Sequence, residues 1–183
     1  MTYYGSKELA ASFRTVRKNT CAVAEDIPEL HYGFRAAPET RTVAQTLVHI
    51  AVAPRVQEEI HRVRQLTTLE GFDFFGLIGA LHAEEQVARS KADILGMLHA
   101  EGEKFAHWLE GLSEDFLGQR VNYPQGMTPP GKSRFEMVMG VKEHEMHHRG
   151  QLMLVERMIG VVPHLTRDME ARIAAMQAAK AGA

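Results

Sequence analysis

Three histidines in one five-residue window, His144, His147 and His148, form the densest group of metal-binding side chains in a chain that carries ten. Imidazole nitrogen is a ligand for zinc, nickel and copper, and two histidines four residues apart on a helix point the same way. At about 100° per residue, Met137, His144, His148, Gln151 and Val155 fall within an arc of roughly 60°. Val141, Leu152, Met158 and Ile159 flank that arc, so it reads as the face turned towards a core. Lys142, Arg149, Glu156 and Arg157 fall on the opposite side, which reads as solvated. Two histidines aimed into a core need partners, because an unpaired buried polar group is costly.

A partner is available about a hundred residues earlier. His49 shares a helical stripe with Gln45, Val52, Ala53, Val56, Ile60 and Val63, again within about 60° of its own direction. Taken singly, His49 reads equally well as a core histidine bonded to a carbonyl. Taken with His144 and His148, it completes three imidazole nitrogens, the ligand set of an open, catalytic-type zinc site whose fourth position holds water. His147 sits about 80° from the stripe centre, one turn from Glu143, and is not assigned as a ligand.

His144, Glu145 and His148 also spell H-E-x-x-H, in which a zinc peptidase would use the glutamate to activate water. Here Glu145 lies about 80° off the stripe, towards Arg149 at i+4, where an ordinary surface pair explains it. The longer metzincin pattern fails, since Gly150 comes one place early and position 154 is Leu. Glu170 is available as a downstream carboxylate, but no strand pattern supplies an edge on which to hold a peptide.

These residues must be positioned by helices. Strand-like alternation never lasts, whereas apolar residues recur at three and four. Helices are expected over Lys7–Ala24, Thr42–Val63, His82–Leu112 and Ser133–Ile159, with a shorter one at Arg167–Ala179 within a C-terminal segment of 164–180. Thr42 with Gln45 and Ser133 with Glu136 are capping boxes. Pro54 predicts a kink, because it removes a donor and crowds the carbonyl of Ile50. Arg64–Leu81, with Phe72, Phe74 and Phe75, reads as a loop packing its aromatics over one end of the core. Tyr123–Lys132 is the clearest break. The expectation is an all-α four-helix bundle over about 5–162 plus the extra helix, as a single domain over 1–183.

With 183 residues, 45% hydrophobic and 24% charged, the composition is that of a globular chain. A net charge of −2 argues against nucleic acid as a partner, and the lack of a long apolar run argues against a membrane. The single Cys21 excludes an internal disulfide framework and reads as a buried small hydrophobe. A cytoplasmic location is expected. Trp108 reads as packing, Gly140 and Gly150 as points of close helix approach, and His31, His61, His82, His99 and His164 as scattered surface or loop positions.

The string His144-Glu-Met-His-His-Arg-Gly-Gln151, preceded by Thr46-Leu-Val-His49-Ile, resembles the DinB (YfiT-like) superfamily of metal-dependent enzymes, and the resemblance extends over about residues 5–165. It implies a four-helix bundle with one divalent metal held by His49, His144 and His148. Zinc is the expected ion, and nickel also suits imidazole. Some DinB-like proteins are S-transferases or isomerases that use low-molecular-weight thiols such as bacillithiol or mycothiol. The resemblance therefore implies a transferase acting on a small electrophilic substrate with such a thiol. A metal-dependent hydrolase and a non-catalytic metal-binding or stress-response module remain open. It is also compatible with a homodimer, although no apolar stripe is visibly left over for one.

Overall fold

The structure, a computed structural model, describes residues 4–181. Its long helices are α1 (Ser6–Asp26), α2 (Val43–Val52), α5 (Lys91–Glu110) and α7 (Arg134–Met158). Helix α2 runs on through α3 (Pro54–Glu58) into a π-helical turn at Glu59–Val63. Together these form the bundle, with α1 packed on α5 and α7, and α2 packed on α5 and α7. The fold is all-α, as the periodicity predicts. The one sheet among the described residues is a small antiparallel pair, β1 (Arg120–Asn122) with β2 (Gly131–Ser133), in which Val121 faces Lys132.

Local chemistry sets the helix boundaries. Thr42 accepts from the Gln45 amide and Ser133 from that of Glu136, and both boxes are closed by the return bond from the third-position side chain. Helix α7 ends where Gly160 takes φ +84°, a left-handed conformation that glycine adopts without penalty. Pro54 interrupts the hydrogen-bond ladder at the position where a kink is expected, and leaves the Ile50 carbonyl without its usual amide partner. Arg17, reaching across from α1, donates Nη2 to that oxygen at 3.2 Å.

That arginine anchors the bundle interior. Its Nε and Nη2 meet the Glu145 carboxylate at 3.0–3.1 Å, and Nη1 donates to the Leu98 carbonyl at 2.6 Å. Gly102 makes the room, since a Cβ there would lie 2.8 Å from Arg17 Cγ. Apolar clusters lie on both sides of this ion pair, one containing Leu9, Phe13 and Phe105 and the other Leu47, Ile94 and Leu98.

The structure corrects the sequence reading in several places. The segment read as a loop over Arg64–Leu81 contains the helix α4 (Phe74–Glu85), capped by Asp73, which accepts from Gly76 N at 2.8 Å. Phe75 is 85% exposed while Leu81 is buried, so this helix lies over α2 instead of presenting a stripe to the core. The helix expected from His82 is consequently two helices, separated at 86–90, with Ser90 and Asp93 capping α5. A short α6 (Glu114–Gly118) and the β pair precede α7.

On α7, Arg149 and Glu156 are not on a solvated face. Glu156 is fully buried, and its carboxylate oxygens lack hydrogen-bond partners, as do Arg149 Nε and His164 Nδ1. Burial first, and then the charge of Asp26, pushes the Glu156 carboxyl up to about 7. Asp26, at the end of α1, pairs in turn with Arg167 of α8 (His164–Ala181) at 2.7 Å, and His164 reaches Asn19 of α1 at 3.4 Å. Nothing lies within 4 Å of a Cβ placed at Gly140 or Gly150, so neither marks a close helix approach. An apolar row is in fact left uncovered on α7, at Met146, Leu154 and Met158.

Candidate metal centre

His49 on α2 and His144 and His148 on α7 meet between the two helices. His144 Nε2 lies 3.1 Å from His49 Nε2 and 3.1 Å from His148 Nε2, and the ring centroids are 4.6–4.9 Å apart. The outer nitrogens fix the tautomers. His49 Nδ1 is 2.8 Å from Glu85 Oε1, and His148 Nδ1 is 2.8 Å from Gln151 Oε1. Both oxygens only accept, so both Nδ1 atoms carry the proton and both Nε2 atoms present lone pairs. His144 Nε2 can donate at most one proton between them.

A donor set of this kind suits a cation. Burial, followed by the neighbouring histidines, holds His144 down to about 4. Burial likewise lowers His49 and His148 against the opposing pull of Glu85 and Gln151. All three are therefore neutral at pH 7, the form that binds metal. Four nitrogens in tetrahedral array at 2.0–2.1 Å from zinc would lie about 3.3 Å apart, close to the 3.1 Å from His144 Nε2 to each of the other two, and all three ligand atoms lie within 4.8 Å of one another. Among the described residues, these three form the group of His, Cys, Asp and Glu able to hold an ion.

The supporting residues are polar and tightly tied. The Glu85 side chain is 2% exposed, receives Arg41 Nε at 2.6 Å and Nη2 at 3.3 Å, and faces His82 Nδ1 at 3.3 Å. Burial would raise its pKa, but the hydrogen bonds from Arg41 and His49 outweigh that and leave it lowered. The ionised carboxylate orients His49 and increases its basicity, as in carboxylate–histidine–metal arrangements. On α7, Gln151 also donates Nε2 to His147 Nε2 at 3.1 Å. His147 also packs edge-on against His148, with ring centroids 5.0 Å apart, but it is not one of the three whose nitrogens converge.

Sequence reasoning brought the three histidines together but missed Glu85, Arg41 and His82. Glu85 and His82 lie on the end of α4, a helix that shows no core-facing stripe, and Arg41 precedes a cap with nothing to mark it as a side-chain donor. His61, read as a surface position, is buried. Its Nε2 donates to Gln57 Oε1 at 2.9 Å and its Nδ1 accepts from Arg134 at 2.7 Å, while burial and then Arg134 lower its pKa to about 4. Glu145, read as a surface partner of Arg149, is 2% exposed and held by Arg17, turned away from the histidine cluster. Cys21 is buried as expected, and burial pushes its thiol up to about 11.

Two clefts open on the cluster. One of about 420 Å³ reaches His49 and His144 between Val56, Ile78, Met137 and Gly140, with Tyr123 and Lys132 also in its wall. Another of about 490 Å³ reaches His148 past Phe34, Glu39, Thr46 and Gln151. Arg41 and His82 line both.

Comparison with known proteins agrees with this architecture. The DinB family model matches residues 1–175. A DinB-like protein of Bacillus subtilis superposes with a TM-score of 0.60 at 20% identity, covering 84% of this chain and 92% of that one. An uncharacterised protein of Clostridium difficile 630 superposes with a TM-score of 0.64 at 14% identity, covering 86% of this chain and 98% of that one. No curated protein matches.

Proposed function

Because the chain belongs to the DinB family, we propose that it holds one divalent ion at His49, His144 and His148 and is a transferase joining a low-molecular-weight thiol to a small electrophile. The observation that carries the metal reading is the convergence of three Nε2 atoms at which the protons of His49 and His148 are already engaged elsewhere. Three protein ligands leave a tetrahedral ion one exchangeable position, the mark of a catalytic site over a structural one. When bound, the ion supplies Lewis acidity that makes a coordinated thiol a thiolate at neutral pH.

The protein's own groups do the rest. Glu85 retains the Nδ1 proton of His49, and Gln151 that of His148, so neither ring can swivel without breaking a 2.8 Å hydrogen bond. Arg41 keeps Glu85 ionised and in place. Glu145 is committed to Arg17 and is not placed to act as a general base. Chemistry in which the ion itself generates the nucleophile fits that arrangement, and the paired clefts favour two reactants over one substrate and water. Zinc is the expected ion.

The direct test is a Co²⁺-substituted sample titrated with a small thiol. A thiolate charge-transfer band is expected, because the fourth position exchanges. A Co²⁺ spectrum indifferent to thiol, together with metal-dependent turnover of ester or amide substrates in its absence, would replace the transferase with a hydrolase. Indifference to thiol with no turnover, and sharp loss of stability on chelation, would identify a structural site.

A further inference from the structure

One polar side chain in the 420 Å³ cleft beside His49 and His144 has its orientation fixed from behind. Arg134, the first residue of α7, is 1% exposed, with its guanidinium 4.6 Å from the Phe116 ring and Nε donating to Gln119 Oε1 at 3.1 Å. Its Nη1 lies 2.7 Å from His61 Nδ1. A guanidinium can only donate, so His61 Nδ1 accepts and the imidazole proton sits on Nε2. That proton goes to Gln57 Oε1, one helical turn earlier, at 2.9 Å. Burial and then the Arg134 charge hold His61 down to about 4, so this polarity persists through the neutral range. The Gln57 amide is therefore locked. Its oxygen is consumed, and Nε2, which only donates, is the end left for the cleft that Gln57 lines with Val56, Ile78 and Met137.

The charges in the same wall come in opposite pairs. Arg41 gives Nε and Nη2 to Glu85, and Lys132 acts electrostatically on Glu136. An incoming anion would have to draw a cation away from one of these pairs, whereas a neutral acceptor needs only a directed donor. We propose that Gln57 is a specificity-determining residue: its Nε2 donates to an uncharged carbonyl oxygen of the substrate, as in a ketone, ester or amide, whose apolar body lies against Val56, Ile78 and Met137. The proposal rests on this cleft being the substrate site of the transferase proposed above.

The test is a fluorine NMR titration of zinc-loaded protein with 4-(4-fluorophenyl)butan-2-one and with the matching alcohol, 4-(4-fluorophenyl)butan-2-ol. The ketone can only accept, whereas the hydroxyl can accept or donate. Gln57→Leu should weaken the ketone about fivefold, the worth of one hydrogen bond. Gln57→Glu keeps an oxygen for His61 and turns a second acceptor to the cleft, and it guards the test against misfolding of the leucine variant. It should weaken the ketone about tenfold or more and leave the alcohol within about twofold of wild type. Equal losses of ketone and alcohol in Gln57→Glu overturn the proposal, as does a wild type that binds no ketone. Ketone binding that ignores both substitutions and disappears with the zinc also overturns it, because the ion then holds the carbonyl. The His61 tautomer, read from the ring nitrogens by NMR and assigned by its absence in His61→Gln, should be the Nε2–H form; a proton on Nδ1 contradicts the lock on Gln57. The thiol titration of Co²⁺-loaded protein is read separately. A thiol band without Gln57 dependence removes this inference and leaves the transferase, and Gln57-dependent ketone binding without a thiol band removes the transferase and leaves the carbonyl site.

Discussion

Glu145→Gln separates two accounts of the H-E-x-x-H string. If the glutamate activated water, the change would remove a general base and slow turnover by about 10²-fold or more while leaving the fold intact. The structure demands the reverse. Glu145 and Arg17 make three N–O contacts at 3.0–3.1 Å inside the bundle, with side-chain exposures of 2% and 6%. An amide in place of the carboxylate leaves the guanidinium charge buried with two backbone carbonyls. Breaking a buried pair from one side destabilises by about 3–5 kcal/mol, a large part of the roughly 5–15 kcal/mol that holds a protein folded. With a urea slope of about 2 kcal/mol/M, the unfolding midpoint should fall by roughly 2 M. The double variant Arg17→Met with Glu145→Leu should recover most of that loss, because apolar replacement of both partners removes the desolvation penalty. Urea unfolding followed by far-ultraviolet circular dichroism, with metal content measured on the same samples, makes the test. Metal stoichiometry should be unchanged in every variant that folds. A Glu145→Gln protein of wild-type stability that has lost turnover would refute the reasoning.

Three further outcomes follow from named contacts. Glu85→Gln keeps the shape of the side chain but weakens its hold on His49, and should lower metal affinity about 10–100-fold in a chelator competition. Gly102→Ala drives a methyl group to within 2.8 Å of Arg17 and should lower the urea midpoint without changing metal content. Glu156→Gln carries a pH signature. Its carboxyl rises from 4.5 to about 7 in the folded state, so the native protein holds this proton more tightly than the unfolded chain. That stabilisation is complete below about 4.5 and is lost as pH rises through 7, amounting to about 3 kcal/mol. The glutamine variant should therefore be more stable than wild type by up to that amount at pH 8 and equal to it near pH 4.5. A stability difference that does not vary with pH would contradict the buried, unpartnered carboxylate.

The elements that proved legible are those whose signals are local or periodic. Capping boxes at Thr42 and Ser133 and the interruption at Pro54 place α2 and the start of α7, and the stripes along them carry His49, His144 and His148 to one point. Helix α4 was not legible, because its apolar residues lie partly against a cleft and partly in the open and so obey no helical period. Glu85 was hidden with it. Glu145, Arg149 and Glu156 were misplaced for a related reason: α7 is covered on more than one side, by α1 as well as α2, and charged residues on a second buried face look like solvent-exposed ones until their partners are known. Arg17 supplies such a partner 128 residues away from Glu145, a pairing that no short-range pattern announces. Gly140 and Gly150 were read as close contacts, whereas both have open space where a side chain would be.

Metal content by elemental analysis, on protein purified without a histidine tag and compared with His49→Ala, tests the central claim most directly. About one zinc ion per chain in the wild type and none in the variant, with helix content preserved in both, is the result the converging imidazoles predict. A wild-type protein that is folded, metal-free and unable to take up zinc, nickel or cobalt would contradict it.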